Sequence, residues 1–358
     1  MGARKPPMMA GFQAEENLTG RAQKNVRKIL DVISERGTDT MECVNDSEFL
    51  DRFLRVERPG ADKILAFYDS TVDAICRNGR YLYIPLSDHL CHRGDALFES
   101  ISVCDGYVFS MEGHLERLKK GCASFMQIQP PCSWEDLRQR IVDVARAGGE
   151  RDCGIRLFLG RGAGGFGVSP LECPKTSLYI VAVRQPKAGE ELYEKGMTAF
   201  TSKVPPKQEY LATVKNTNYL PNVLMAREAA ERGMDCAVTF HEDGTMGEAA
   251  VANIGIVNAA GELVCPPLNR ILAGTSMLCA MKVAKERMPV RFAEVTRDDI
   301  ASAREMLLFA SSKLCVGITH FDGRPFGDGR PGPVARWLRG AMYKEMVRTG
   351  TPVWPDKK

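Results

Sequence analysis

Long apolar runs are missing from this 358-residue chain, and so is an excess of either charge. A bilayer-crossing helix needs about 20 consecutive apolar residues, and no stretch approaches that, so no membrane partner is expected. Basic and acidic residues nearly cancel, 48 against 45, and they are mixed along the chain. No nucleic-acid footprint is expected from such a balance. The twelve cysteines form no C-x-x-C pair and no Cys/His cluster at zinc spacing. That excludes an obvious metal site or disulfide framework and points to reduced thiols in the cytoplasm. The basic start, MGARKPPMMAGFQAEE, has no apolar core before Glu15 and Glu16, and Pro6 stands where a myristoylation motif needs Ser or Thr. A cleaved or lipidated leader is therefore not expected.

What is present is an ordinary globular composition, 44% apolar and 26% charged, in a length that suggests two domains. Residues 1–60 read as a helical arm. Val26, Ile29, Leu30 and Ile33 fall at helical spacing before Gly37, and Ser47 can cap a second helix carrying Phe49, Leu50, Phe53 and Leu54. Beyond Pro59-Gly60, "ALFESISVCDGYVFSM" holds two alternating runs joined by Asp105-Gly106, a strong hairpin signal. Helices with Leu115 and Leu118 inward, and from Trp134 to Ala147, lead to strands at 155–159 and 177–183. The polar, turn-rich "RQPKAGEELYEKG" separates a small domain, 61–186, from a larger one, 187–358. The second half carries hairpins over "HEDG" and "NAAG" and a helix opening near Thr275. Its last helix has Val334, Trp337, Leu338, Ala341 and Met342 on one face. Hairpins prevail over regular strand–helix alternation, so the expected class is α+β rather than a doubly wound sheet.

"GRGAGGFG", residues 160–167, follows the apolar run Ile155–Leu159 and spaces Gly162, Gly164 and Gly167 as G-x-G-x-x-G. A dinucleotide loop must open a helix whose N-terminus takes the pyrophosphate. Here "VSPLECP" follows, with Pro170 and Pro174, so the context excludes NAD. The stretch that carries chemistry is "ATVKNTNYLPNVLMAREAAERG". In it Lys215 ends a short apolar run near Tyr219, where an amine can be desolvated and its pKa lowered for Schiff-base work. Such work with pyridoxal phosphate needs an acid for the ring nitrogen, an anion site for the phosphate and a cation for the substrate carboxylate. Glu248 stands at the entrance to "AAVANIGIV", and "ILAGTS" runs into Thr275-Ser276 at a helix start. Taken singly, these residues read equally well as a solvated lysine, a hairpin acid and helix caps.

Seven motifs in order, "HRGDALFESI", "GHLERL", "GRGAGGFGVSP", "VKNTNYLPN", "GEAAVANIGIV", "LAGTS" and "DGRPGPVARWL", span about residues 66–348. With them the chain resembles the fold-type IV pyridoxal-phosphate enzymes, or class IV aminotransferases. That family includes branched-chain aminotransferases, D-amino-acid aminotransferases and aminodeoxychorismate lyases. The resemblance implies a two-domain α+β fold behind the helical arm, and a homodimer whose site the partner's loop completes. It implies Lys215 as the catalytic lysine that bonds the cofactor. Glu248 would pair with the ring nitrogen, Tyr219 would reach the ring hydroxyl, and Leu272 would pack on the ring. Arg117, Thr275, Ser276 and Ser311 would hold the phosphate. Phe98 would face the substrate, and Arg161 matches an arginine that grips the substrate carboxylate in D-amino-acid enzymes. Arg156 is the alternative for that grip, with Arg93 and His92 as further wall residues.

The activity implied is amino-group transfer between an amino acid, of D or branched-chain type, and a 2-oxo acid by a ping-pong route. Lyase chemistry releasing pyruvate and 4-aminobenzoate, and an inactive paralogue with a binding role, are left open. The chain departs from the branched-chain pattern at Ser100, where Gly is usual. It departs from the bacterial D-amino-acid pattern at Phe98 and Ala163, where Tyr and His stand.

Overall fold

The computed structural model describes residues 41–354. The chain divides into two units between Glu57 and Arg58. In the first, a helix spans Asp46–Arg55, and its cap is Asn45 rather than Ser47. The Asn45 side chain accepts the Glu48 N–H at 3.0 Å while Ser47 Oγ donates to it, so Ser47 lies inside the first turn. The helix expected over Val26–Ile33 lies outside the described residues.

The second unit is built on two sheets. The first sheet contains β1 (Ile64–Asp69), β2 (Ala74–Cys76), β3 (Ala96–Cys104), β4 (Tyr107–Val108), β5 (Cys153–Gly160) and β6 (Ser177–Val183). Its second-sheet counterparts are β7 (Met197–Thr201), β8 (Cys236–Phe240), β9 (Met246–Ala249), β10 (Asn253–Val257), β11 (Leu263–Cys265) and β12 (Val290–Phe292). β13 (Glu305–Ala310), β14 (Leu314–Phe321) and β15 (Arg324–Pro325) complete that second sheet. A last short strand, β16 (Thr351–Pro352), returns to the first sheet, whose order is β16-β4-β3-β5-β6-β1-β2. The second runs β12-β11-β10-β13-β14-β7-β8-β9, with β15 on β14. Hairpins dominate, and the fold is α+β.

Local chemistry explains the main elements. Asp105 and Gly106 both have positive φ, 52° and 87°, which the tight turn from β3 to β4 demands. The helix Met111–Ala123 buries Leu115 and Leu118 against the first sheet. The helix Thr275–Ala284 and the last helix, Pro333–Thr349, pack on the second sheet around Met277, Leu338 and Met342. The segment expected to be polar and turn-rich between the halves contains a short helix, Glu190–Lys195. No helix among the described residues is long and apolar enough to cross a membrane.

The glycine loop after β5 does cradle an anion, and the anion belongs to the chain itself. Gly167 N–H donates to Glu172 Oε2 at 3.1 Å. A Cβ at Gly165 or Gly167 would collide with that carboxylate. Gly162, at φ +103°, turns against the Lys175 carbonyl. Gly162→Ala is expected to lower the melting temperature by roughly 5 °C, from backbone strain and the clash. Scanning calorimetry would check it, and an unchanged midpoint would show that the turn re-forms freely.

Candidate active site

β4 is short, so the first half of β3 has no strand partner on that side. The segment after residue 212 fills the gap. Phe98 N–H donates to the Lys215 carbonyl at 2.9 Å, Thr217 N–H donates to the Ala96 carbonyl at 3.0 Å, and Leu97 bridges to Asn216. This docking fixes Lys215 at the junction of the two sheets, one turn before the helix Leu220–Glu231. Its Nζ lies 4.3 Å from the Phe98 ring centroid and 3.4 Å from the Tyr219 hydroxyl. The Phe98 and Tyr219 rings meet edge to face at 4.9 Å. Burial, helped by the Arg117 charge, pushes the Lys215 amine down to about 8.

Lys215 opens into a cavity of about 710 Å³, within the range of about 300–1,000 Å³ usual for small-molecule sites. At one end stands Glu248, the third residue of β9. Burial raises its carboxyl to about 7, against the Leu272 N–H bond and the nearby Lys207, Lys215 and Arg117 charges. Leu272 N–H reaches Glu248 Oε2 at 3.2 Å and Asn253 Nδ2 reaches the same oxygen at 3.4 Å. Both bonds land on one oxygen, which leaves Oε1 available to a further donor.

At the other end the helix Thr275–Ala284 begins. Its cap is Gly274, not Thr275 or Ser276, and no side chain caps it. An α-helix leaves its first amides unpaired and carries partial positive charge there. Ser276 Oγ is buried with no hydrogen-bond partner, which is costly unless a ligand supplies one. Arg117 stands beside this terminus. Its Nε and one Nη2 hydrogen go to Glu99, at 2.9 and 2.5 Å, and one Nη1 hydrogen goes to the Ala273 carbonyl at 3.1 Å. Nη2 also lies 3.3 Å from His114 Nδ1, whereas Nη1 keeps a hydrogen for an anion. Ser311 also lines the cavity. Its carbonyl accepts from Ser102 Oγ at 2.9 Å.

Among the residues singled out from the sequence, Phe98, Arg117, Arg156, Lys215, Tyr219 and Glu248 line this one cavity. Leu272, Thr275, Ser276 and Ser311 line it too. Arg161 and Arg93 do not. Arg161 is held bidentate by Asp95, at 2.8 and 3.1 Å, and donates to the Met126 and Gln127 carbonyls. Arg93 is exposed and donates to the Phe166 and Gly167 carbonyls, clamping the glycine loop. His92 packs against the Phe166 ring at a tilt, with centroids 5.4 Å apart. Arg156 instead sits opposite Ser100 in the β3–β5 register, two residues from the Phe98–Phe158 pair, so strand alternation turns it into the cavity. Its partners are the Gln185 side chain at 2.7 Å and its neighbour's carbonyl. No carboxylate pairs with it among the described residues, and burial lowers its pKa.

Two site residues were missed from the sequence. Glu99 and His114 are both almost completely inaccessible, at 1% and 0%, and hydrogen-bond at 2.7 Å. A signal existed. Glu99 shares its strand phase with Leu97, Ile101 and Val103, where a carboxylate is costly unless paired. His114 and Arg117 are three apart on one helix face.

Fold and site together point to a lysine-centred enzyme, with a helix N-terminus and the orphan Ser276 hydroxyl, a candidate anion cradle, at one end of a cavity and a half-buried carboxylate, Glu248, at the other. The family described as amino-transferase class IV matches residues 96–321. A D-amino-acid transaminase of Arabidopsis thaliana, described as chloroplastic, is 30% identical over 353 residues, 97% of this chain and 92% of its own length. The D-alanine aminotransferase of Bacillus licheniformis is 23% identical over 272 residues, 74% of this chain and 92% of its own. Among solved structures, the branched-chain amino acid aminotransferase of Escherichia coli shares the fold. Its TM-score is 0.73 at 24% identity, over 82% of this chain and 97% of that one. The chain belongs to the class IV aminotransferases, which are pyridoxal-phosphate enzymes.

Proposed function

We propose that the chain binds pyridoxal phosphate and moves the amino group of a small amino acid, of D or branched-chain type, to a 2-oxo acid by a ping-pong route. The observation that carries this reading is a desolvated amine, Lys215 Nζ, in one cavity with the helix start at Ser276, whose buried hydroxyl has no partner, and with the half-buried Glu248. Arg117, Thr275, Ser276 and Ser311 would hold the phosphate, Leu272 and Tyr219 would contact the ring, and Glu248 Oε1 would accept from the ring nitrogen. When bound, pyridoxal phosphate supplies an electrophilic aldehyde carbon and a ring that draws electrons from the substrate's α-carbon.

The chain's own groups do the rest. With its pKa near 8, the Lys215 amine can give up and take back a proton near neutral pH, as proton transfer at the α-carbon requires. A cation beside Glu248 would restore its charge, because desolvation is what raises it. Phe98 and Leu272 line the reacting end with apolar surface.

Arg156 is our assignment for the substrate carboxylate, since it is a cavity cation without an acidic partner. Arg156→Ala is expected to raise the KM for the amino acid about 10- to 100-fold, the worth of one charge-assisted bond, with kcat changed less. An unchanged KM in steady-state assays would move the grip elsewhere.

The arm at 1–60, the small domain at 61–186 and the cofactor domain at 187–358 are proposed as the working parts of a homodimer. Light scattering tests the dimer. All twelve cysteines are free, in keeping with a cytoplasmic setting. The test of the whole reading is the visible spectrum of the purified protein before and after D-alanine or L-leucine. A yellow protein that bleaches with one of them supports transamination and identifies its substrate side. A protein that stays colourless after incubation with pyridoxal phosphate overturns the reading.

A further inference from the structure

The buried pair beneath the cradle has a consequence for how the cradle takes an anion. His114 Nδ1 is 2.7 Å from Glu99 Oε2, and His114 Nε2 is 3.3 Å from Thr275 Oγ1. Burial would raise Glu99, but the Arg117 charge and hydrogen bond, with the hydrogen bond from His114, outweigh it and hold the carboxyl low, at about 2. An ionised carboxylate only accepts, so Nδ1 must carry a hydrogen. Burial pushes the His114 pKa down, which leaves the ring neutral and Nε2 bare. The Thr275 hydroxyl hydrogen therefore points to Nε2, and Thr275 Oγ1 offers only lone pairs to the cavity. A phosphate dianion also offers only lone pairs. The free site and the loaded site cannot share one hydrogen arrangement.

We propose that capture of the cofactor's phosphate draws one proton from solvent onto His114 Nε2, which then donates to Thr275 Oγ1 and releases the Thr275 hydroxyl hydrogen to the phosphate. This rests on the reading that the cradle holds the phosphate. The proton comes from water or buffer, and no other bond is made or broken. Without it, turning the Thr275 hydroxyl toward the phosphate would strand a buried acceptor on Nε2, which is costly. Three charged groups face His114: Glu99 from β3, Arg117 from its own helix, and Lys215 from the segment docked on β3. Glu99 favours the imidazolium, whereas Arg117 and Lys215 oppose it. An arriving dianion offsets those two cations and so tips the balance toward protonation. His114 is thus a positioning residue that acts through Thr275. Its own contribution to cofactor affinity favours the acid side, opposite in sign to that of the Lys215 amine.

The chain has five histidines, so the ring nitrogens can be read directly by NMR of full-length, ¹⁵N-histidine-labelled protein at pH 8, with His114→Gln identifying the His114 signals. The cofactor-free chain is expected to show a neutral ring with bare Nε2. Loading with pyridoxal phosphate is expected to protonate Nε2, whereas pyridoxal, lacking the phosphate, leaves it bare. A ring that stays neutral in the loaded protein, or is already doubly protonated before loading, overturns the inference while the cofactor reading stands. If pyridoxal phosphate binds no better than pyridoxal, the cradle reading falls and takes this inference with it.

A second measurement does not depend on signal assignment. Between about pH 6.5, where the free ring is already neutral, and pH 8, cofactor affinity in the wild type is expected to fall about tenfold more per pH unit than in His114→Gln or Thr275→Val, because only the wild type takes up this proton. Equal slopes in all three proteins would refute the proposal.

Discussion

Lys215→Ala is expected to abolish amino-group transfer, by about 10⁴-fold or more in kcat, while the protein still folds. Removing a residue that acts covalently costs on that scale, because the remaining groups have nothing to cooperate with. The fold should survive because what docks this segment is backbone. The Lys215 carbonyl accepts from Phe98 N–H, and Thr217 N–H reaches Ala96. The side chain contributes only a 3.4 Å contact with Tyr219 and its approach to Phe98. Transfer from D-alanine or L-leucine to a 2-oxo acid, measured alongside a melting curve, checks both halves. A well-folded variant keeping more than about 1% of the rate would refute the assignment.

The same lysine gives a pH prediction whose sign is fixed by desolvation. The reactive form is the neutral amine, and burial lowers the pKa from 10.5 to about 8. Cofactor capture by the cofactor-free chain should therefore accelerate as pH rises through 8. A solvated lysine would show its rise near 10.5 instead. Stopped-flow absorbance separates the two.

The second large effect concerns Arg117. Arg117→Met leaves Glu99 buried with only His114 for company. Breaking a buried ion pair from one side costs about 3–5 kcal/mol, which corresponds to a melting-point drop on the order of 10 °C. It also removes the guanidinium from the cradle, so affinity for pyridoxal phosphate should fall about 10- to 100-fold. Adding Glu99→Gln separates these effects. The double variant removes the stranded charge and is expected to recover most of the stability but none of the affinity. If both recover together, Arg117 serves the fold and not the anion.

Acid titration bears on the same pair. Glu99 has its folded pKa lowered to about 2 from 4.5. Its stabilisation is therefore complete above about pH 4.5 and is lost as pH falls toward 2. Glu99→Gln should remove that limb from the stability profile.

The fold was legible where local chemistry decides it. The Asp105-Gly106 turn needs positive φ at both positions, so the β3–β4 hairpin was readable from two letters. The apolar stripe of the last helix predicted the face that packs into the core, with Leu338 and Met342 fully buried. The short helix Glu190–Lys195 escaped because four of its six residues are charged and it is too short to show a period, so it reads like a turn. The returning strand Thr351–Pro352 escaped because a two-residue strand has no pattern at all.

The two arginines near the glycine loop show the limit more sharply. Both Arg156 and Arg161 follow from the same stretch of sequence, five residues apart. Arg156 lies within a strand, where alternation fixes its direction, and its register with Ser100 and Phe98 turns it into the cavity. Arg161 lies just past the strand end, where alternation no longer applies, and Asp95 captures it from 66 residues away. The glycine loop, excluded as a dinucleotide site by the prolines that follow it, instead receives the carboxylate of Glu172, supplied by the loop's own return.

By itself, the sequence determined the residue types the chemistry needs, the hairpins and helix faces that carry them, and the exclusion of a dinucleotide loop by the prolines that follow it. Those are local properties, set within a few residues by dihedral preference and periodicity. The tertiary structure decided which arginine is free, that Glu99 and His114 lie beneath the cradle, and that Lys215 closes the open edge of β3. Each depends on a partner distant in the chain, and burial then sets the pKa of Lys215 and Glu248. Desolvation is a property of the packed assembly, which no single stretch of sequence carries.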